Sequence, residues 1–454
     1  MTVDNAVPGI AGLARAFDAG DTTSVAATKA YLNRISLENA TLNAFITVLD
    51  KSALKEAVAS DDRRAHNKTR GPLDGIPIAL KDNIDVAGVP TTGGIEAYRK
   101  NVPDQDADVV RRLREAGAVI LGKLNMHEGA HGATTANEAY GYCQNPHKPG
   151  FTPGGSSGGS GAALAADLCA GALGTDTLGS VRIPASFCGI TGLKPTYGLV
   201  STRGVMSLSY ALDHVGPMAR SCEDLTLMLT AIAGFDSNDP AGRHGPTDFS
   251  TALGTPKSLT GLKIGYFADL NKVSGGTVDP AVSVAYAKAI NRLRDLGARL
   301  DPVTWDGYDS AFVLPKAMLL IEADLANIHM DMLNENPPGF TALFRSGIDF
   351  GLAQSAPKLA KALRIIEQVR PVARRLFSSI DALVTPTTPV PAFSFDTTMP
   401  KTITTFTAFA NYAGCPALSV PMGKTEGGLP LGLQVVTPKR EEATALRIGS
   451  AFEG

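Results

Sequence analysis

Cysteine is scarce in this sequence, with five in 454 residues. Cys143, Cys169, Cys188, Cys222 and Cys415 are odd in number, widely spaced and form no C-x-x-C pair. That pattern fits neither a disulfide framework nor a cysteine zinc site, and the thiols read as core or incidental residues in a reducing compartment. An excess of either charge is also missing. Lys+Arg number 42 against Asp+Glu 44, a net charge of −2, and no basic run breaks the balance. Nucleic acid and anionic membranes find no electrostatic footing here, and neither is expected as a partner. Long apolar runs are absent too, each broken by Gly, Pro or a charge well before the roughly 20 residues of a membrane span. The opening M-T-V-D-N-A-V-P lacks the basic and apolar regions of a secretory signal, so a soluble cytoplasmic protein is expected.

Hydrophobic residues at 44% and charged residues at 19% suit a globular chain with a sizeable core. Amphipathic helices are predicted at Ile10–Phe17 and, after the cap candidates Asp21 and Thr22, at Ser24–Ser36. Ala44–Leu49 is β-rich and Lys51–His66 helical, while Gly75–Asn83 reads as a short apolar strand ending in polar residues. Asp108–Lys123 has the pattern helix, glycine stop, strand, which is the unit of an α/β fold, and Ala287–Val303 repeats it. The expected fold class is α/β, one large mixed β-sheet sandwiched between helices. No break in composition requires a second domain, so residues 1–454 are expected to form one domain, with a mostly helical lobe over about 279–376. Phe235–Lys257, rich in Gly, Pro, Ser and Asp, reads as a surface connection.

Between Pro153 and Gly161 the chain reads P-G-G-S-S-G-G-S-G, by composition a flexible linker. It runs straight into A-A-L-A-A-D-L-C-A-G-A-L-G, a small-residue apolar segment read as a buried core helix, which a linker should not do. A second small-residue turn, G-T-D-T-L-G-S-V-R-I-P-A, begins at Gly174. Two such turns could aim unpaired backbone N–H groups at one point and stabilise an anion there. The first run lacks the G-K-[ST] ending of a phosphate-binding loop, which argues against a nucleotide. A serine with a lysine base fits better, since Ser-Lys arrangements are an alternative to Ser-His-Asp. Lys81 follows an apolar strand, and desolvation would lower its pKa and make the amine available as a base. On physics alone, a buried pair between Lys81 and Asp82 or another carboxylate is the commoner outcome.

The stretches I-A-L-K-D-N, P-G-G-S-S-G-G-S-G-A-A and G-T-D-T-L-G-S-V-R-I-P-A resemble the signature blocks of the amidase signature family of serine hydrolases. Their order matches, as does the 24-residue step from Ser156 to Ser180. The likeness is densest over residues 71–217, continues through G-K-L-N-M-H-E, G-L-K-P-T-Y-G and L-D-H-V-G-P, and returns near the end in V-T-P-T-T-P, G-C-P-A-L-S-V-P and L-P-L-G-L-Q-V-V. The resemblance implies a Ser–cisSer–Lys triad, with Ser180 as nucleophile, Ser156 as bridging serine after a cis Gly155–Ser156 bond, and Lys81 as base. It implies an oxyanion hole from the backbone N–H groups of Thr177, Leu178, Gly179 and Ser180, and hydrolysis of a small carboxylic amide with no metal or cofactor.

Asp176 and Arg182 bracket the nucleophile and are read as orienting it, against the alternative of a surface ion pair. Ser157 and Ser160 are read as helix caps. Leu178 replaces a glycine usual in the family, which requires an ordinary φ there and adds bulk beside the acyl site. His127, Glu128 and His131 form H-E-x-x-H, the zinc-protease pattern. The segment lies within a family block just after a strand, so Met126 and His127 are read instead as lining or supporting the substrate pocket. The alternative function is the catalytic A subunit of a tRNA-dependent amidotransferase, which passes ammonia to a partner subunit. That subunit typically carries glutamine where this chain has Ile183. A silent binding protein on the same fold is the third reading. Many members of the family dimerise, so a homodimer is compatible with the resemblance.

Overall fold

The pattern predicted for Asp108–Lys123 is realised as a helix at Asp108–Glu115, a turn at Gly117 and a strand at Val119–Leu124. In the computed structural model, which describes residues 8–252 and 257–454, such units assemble around one sheet. Its strands are β1 (Phe45–Val48), β2 (Pro77–Lys81), β3 (Val119–Leu124), β4 (Gly171–Thr175), β5 (Thr191–Lys194), β6 (Val215–Ala219), β7 (Lys263–Tyr266), β8 (Arg299–Pro302), β9 (Ala382–Pro386), β10 (Ala417–Lys424) and β11 (Pro430–Val436). Their order across the sheet is β1-β3-β2-β4-β6-β5-β10-β11-β9-β7-β8. Two groups of parallel pairs (β2 with β3 and β4, β7 with β8 and β9) flank a run of antiparallel pairs from β4 to β9, so the sheet is mixed as expected.

Strands β2, β3, β4, β5, β6, β9 and β11 are buried along their whole length, whereas the edge strands β1 and β8 are partly exposed. This is the signature of a sheet covered by helices on both faces. The predicted lobe holds the helices Pro280–Asp295, Ser310–Glu335, Ala342–Leu352, Ala356–Glu367 and Val369–Leu376, and also contributes β8 to the sheet edge. Among the described residues no helix is long and apolar enough to cross a membrane. All five cysteines are buried and free.

Two local readings need correction. The segment after the first glycine run is buried but is not one helix. It is helical only over Gly158–Ala165, turns at Asp167 with φ 56°, and continues as β4. A serine- and glycine-rich helix start with little side chain to bury is ended by one left-handed residue, and the glycines of β4 allow close packing of its neighbours. The cap of the second helix is Thr23 rather than Asp21 or Thr22, its side chain accepting from the Ala26 N–H. Residues 253–256 of the expected surface connection, and 1–7 of the opening stretch, lie outside the described residues.

Candidate active site

Parallel strands β2 and β4 lie side by side, and their C-terminal ends carry Lys81 and Thr175. In open α/β sheets these ends are where the chain turns away and a crevice forms. Lys81 is fully buried, with Nζ 2.7 Å from Ser156 Oγ and 2.7 Å from Thr175 Oγ1. Burial pushes its pKa down to about 7, against the opposing charges of Asp213 and Asp176. The ion pair weighed for it with Asp82 does not form, because Asp82 faces Lys123 Nζ at 3.1 Å on neighbouring β3 and also accepts from Thr92. Lys81 is thus left with hydroxyl partners.

The glycine run brings the second element to this lysine. The Gly155–Ser156 peptide is cis. A Cβ at Gly155 would lie 2.6 Å from the Thr134 backbone nitrogen, so only glycine fits this close approach. Ser156 is buried and its carbonyl accepts from the His127 N–H at 3.1 Å. The next residue joins the two serine turns, its N–H donating to the Ser180 carbonyl at 3.2 Å. Ser157 stands at the helix N-cap position, yet its hydroxyl makes no cap. It exchanges hydrogen bonds with the Thr175 carbonyl and N–H, both at 3.2 Å, while Ser160 Oγ donates to the Leu173 carbonyl. Both hydroxyls therefore tie the helix to β4, because the strand offers buried polar groups nearer than the helix's own first turn.

The turn after β4 carries Ser180, half-buried within a stretch otherwise buried from Gly171 to Cys188. Asp176 and Arg182 are both fully buried, which rules out a surface ion pair. The Asp176 carboxylate accepts from the Gly179 N–H at 2.8 Å, the Val181 N–H at 3.2 Å and Asn411 Nδ2 at 2.8 Å. Arg182 donates to it through Nε at 3.0 Å and Nη2 at 2.8 Å, and also to the Thr407 carbonyl, Gln434 and Asn411. Burial would raise the Asp176 carboxyl, but the Arg182 charge and these hydrogen bonds hold it well below the usual carboxylate range.

This arrangement narrows the expected oxyanion hole. The Gly179 N–H is committed to Asp176, because the carboxylate that orients the turn needs that donor. Among the described hydrogen bonds the N–H groups of Thr177, Leu178 and Ser180 have no protein acceptor. Leu178 is not among the residues with positive φ, and it is Gly179, at φ 133°, that takes the backbone conformation a side chain would resist. The Leu178 side chain packs into the core, and its carbonyl accepts from Thr407 Oγ1 at 2.6 Å.

Met126 is fully buried, its carbonyl accepting from Asn137 Nδ2 at 2.9 Å. His127 is partly exposed, with Nδ1 3.3 Å from Thr134 Oγ1. Its ring nitrogens nevertheless lie inside the protein, and this desolvation, then the neighbouring His131 and Lys81, pushes its pKa down to about 3. The H-E-x-x-H stretch is not the helix a zinc protease requires. His127 is extended at ψ 141°, Gly129 is left-handed, and the Glu128 carboxylate turns away to accept from Thr341. Among the described residues no group of three His, Cys, Asp or Glu side chains is placed to hold a metal.

Sequence reasoning missed Thr175, Asp213, Thr407 and Asn411. Thr175 and Asp213 sit inside stretches already singled out, where their polarity beside apolar strands was the available signal. Asp213 is buried and accepts from Thr177 Oγ1 at 2.6 Å. Thr407 and Asn411 lie more than 200 residues from the turn they hold and carry no local signal.

Comparison with known proteins bears on the whole assembly. The family model Amidase matches residues 26–446. The A subunit of the glutamyl-tRNA(Gln) amidotransferase of Chloroflexus aurantiacus is 39% identical, over 96% of this chain and 94% of that protein. Among solved structures, one concerns a vestigial protein complex and the evolutionary origins of an s-triazine catabolic enzyme. It aligns with a TM-score of 0.90 at 33% identity, covering 98% of each chain. The peptide amidase from Stenotrophomonas maltophilia aligns at 0.87 and 34% identity, over 99% of this chain and 96% of its own. The glutamyl-tRNA(Gln) amidotransferase A subunit from Thermotoga maritima aligns at 0.77 and 29%, over 94% and 90%.

Proposed function

Because this chain belongs to the amidase family, we propose that it cleaves the C–N bond of a carboxamide through an acyl-enzyme on Ser180. The observation that carries this reading is the contact of the buried Lys81 amine with Ser156 Oγ at 2.7 Å, next to the turn that presents Ser180. Neutral Lys81 takes the Ser156 proton while Ser156 takes the Ser180 proton and Ser180 Oγ attacks the carbonyl carbon. The oxyanion develops toward the free N–H groups of Thr177, Leu178 and Ser180, a kind of donor whose loss typically costs about 3–4 kcal/mol in the transition state. Collapse expels ammonia or an amine, protonated back through Ser156, and water attacks the ester by the same relay in reverse.

The fate of the nitrogen has two readings. Curated relatives at 34–39% identity, the Chloroflexus aurantiacus protein among them, are amidotransferase A subunits, which favours ammonia passing to a second protein of such an assembly over a stand-alone amidase. A stand-alone amidase acting on a small amide is supported by buried Ile183 in place of the glutamine those subunits typically carry, and by higher structural similarity to amidases than to the solved amidotransferase chain. The test is ammonia release from glutamine and a panel of simple amides by wild type and Ser180→Ala, with and without amidotransferase partner subunits. Release by the chain alone, lost in the variant, supports the stand-alone amidase. Release only with partners and glutamyl-tRNA supports the amidotransferase reading. Equal release by Ser180→Ala would refute the acyl-enzyme.

A further inference from the structure

Asp213 lies outside the proposed proton relay, yet two parts of the site meet at its carboxylate. Oδ1 accepts from Thr177 Oγ1 at 2.6 Å, and Thr177 opens the turn whose free N–H groups face the developing oxyanion. Oδ2 accepts from the N–H groups of Leu208 and Ser209 at 2.8 and 3.1 Å, closing the loop 208–213. From that loop Ser209 Oγ donates to Asp324 Oδ2 at 2.7 Å, on the lobe helix Ser310–Glu335. The Asp213 charge also acts on Lys81, which has no carboxylate in direct contact.

We propose that Asp213 is a positioning residue for the reaction, fixing Thr177 at the start of the oxyanion turn and supplying a negative charge that acts on Lys81. This inference rests on the acyl-enzyme reading. A core hydrogen-bond hub would need no charge, since neutral polar side chains satisfy buried donors without the cost of burying an ion. Here burial raises the carboxyl to about 6, while Thr177, Leu208, Ser209 and the Lys81 charge oppose that rise. The charged and titratable groups coupled to Asp213 are Lys81 on β2 and Tyr197 after β5, with Asp324 on the helix Ser310–Glu335 reached through Ser209, while Asp176 after β4 acts on the same lysine.

The two roles leave opposite marks on acylation. Without the Thr177 anchor the oxyanion donors drift and the rate falls. Without the negative charge, burial acts on Lys81 with less opposition, the amine is neutral at lower pH, and the rate begins to rise earlier. The experiment is the rate of Ser180 phosphonylation by a fluorophosphonate probe, followed by intact mass against pH. It uses the full chain as wild type, Ser180→Ala, Asp213→Asn and Thr177→Val.

Asp213→Asn is expected to lower the plateau rate about 10- to 100-fold and to displace the ascending limb to lower pH. Thr177→Val, which keeps the charge, is expected to lower the plateau and leave the limb in place. A wild-type plateau and limb in Asp213→Asn overturns the proposal, as does a wild-type plateau in Thr177→Val. If Asp213→Asn does not fold, the Thr177→Val plateau decides. Failure of wild type itself to label at Ser180 would mean that the acyl-enzyme reading is wrong, and the role of Asp213 falls with it.

Discussion

At the scale of single residues, the environment of Lys81 decides the chemistry. An amine in water is charged at neutral pH and cannot accept a proton, but burial brings this one to about 7. The active form is the deprotonated one, so acylation should rise as pH passes through about 7 and level off above it. Because Lys81 and Asp213 act on each other, the limb belongs to the pair. A pH–rate profile of probe labelling checks this, and a profile flat from pH 5 to 9 would rule out the lysine as base. Lys81→Met keeps the buried volume and removes the proposed base, and should slow labelling by about 10²- to 10⁴-fold with the thermal transition retained. His127, at about 3, is neutral throughout that range and adds no inflection.

At the scale of elements, the turn that carries Ser180 is held from outside. Arg182 begins the helix Arg182–Cys188, while Thr407 and Asn411 stand at and in the helix Ala408–Ala413, and Gln434 lies on β11. Together they form a closed polar network around Asp176, in which breaking one buried partner leaves a charge without its counter-ion. Arg182→Met should cost about 3–5 kcal/mol in urea unfolding and should slow Ser180 labelling as the turn loosens. Gly179→Ala faces two obstacles, a φ of 133° and a Cβ 2.5 Å from Thr407 Oγ1. The expected result is loss of labelling at a folded, less stable protein, measured by near-ultraviolet circular dichroism beside the probe assay.

At the scale of the molecule, the lobe and the sheet share their packing. Trp305 stacks on Phe409 at 5.4 Å and meets Phe267, which follows β7, edge-on at 4.7 Å. The one tryptophan therefore reports on the joint between the helical region, the sheet and the helix that holds the Ser180 turn. Its fluorescence and the loss of Ser180 labelling should change in one coincident urea transition. Two separated transitions would show that the lobe unfolds by itself.

The parts of this protein legible in its sequence are those set by local chemistry. Strongly periodic segments such as Asp108–Lys123 form the expected elements, because amphipathic spacing and a glycine stop act over a few residues. The two small-residue turns announce that backbone must approach something closely, and the lysine at the end of an apolar strand is where such a strand would bury it. The partners of these groups depended on the fold. Which carboxylate Lys81 avoids, what Ser157 binds and which side chain braces Asp176 from another helix depend on strand order and on residues up to more than 200 positions away. Conformational preference is a property of neighbours in the chain. Desolvation and hydrogen-bond partnership arise only from neighbours in space, so the tertiary structure alone decided the charge and orientation of the candidate site.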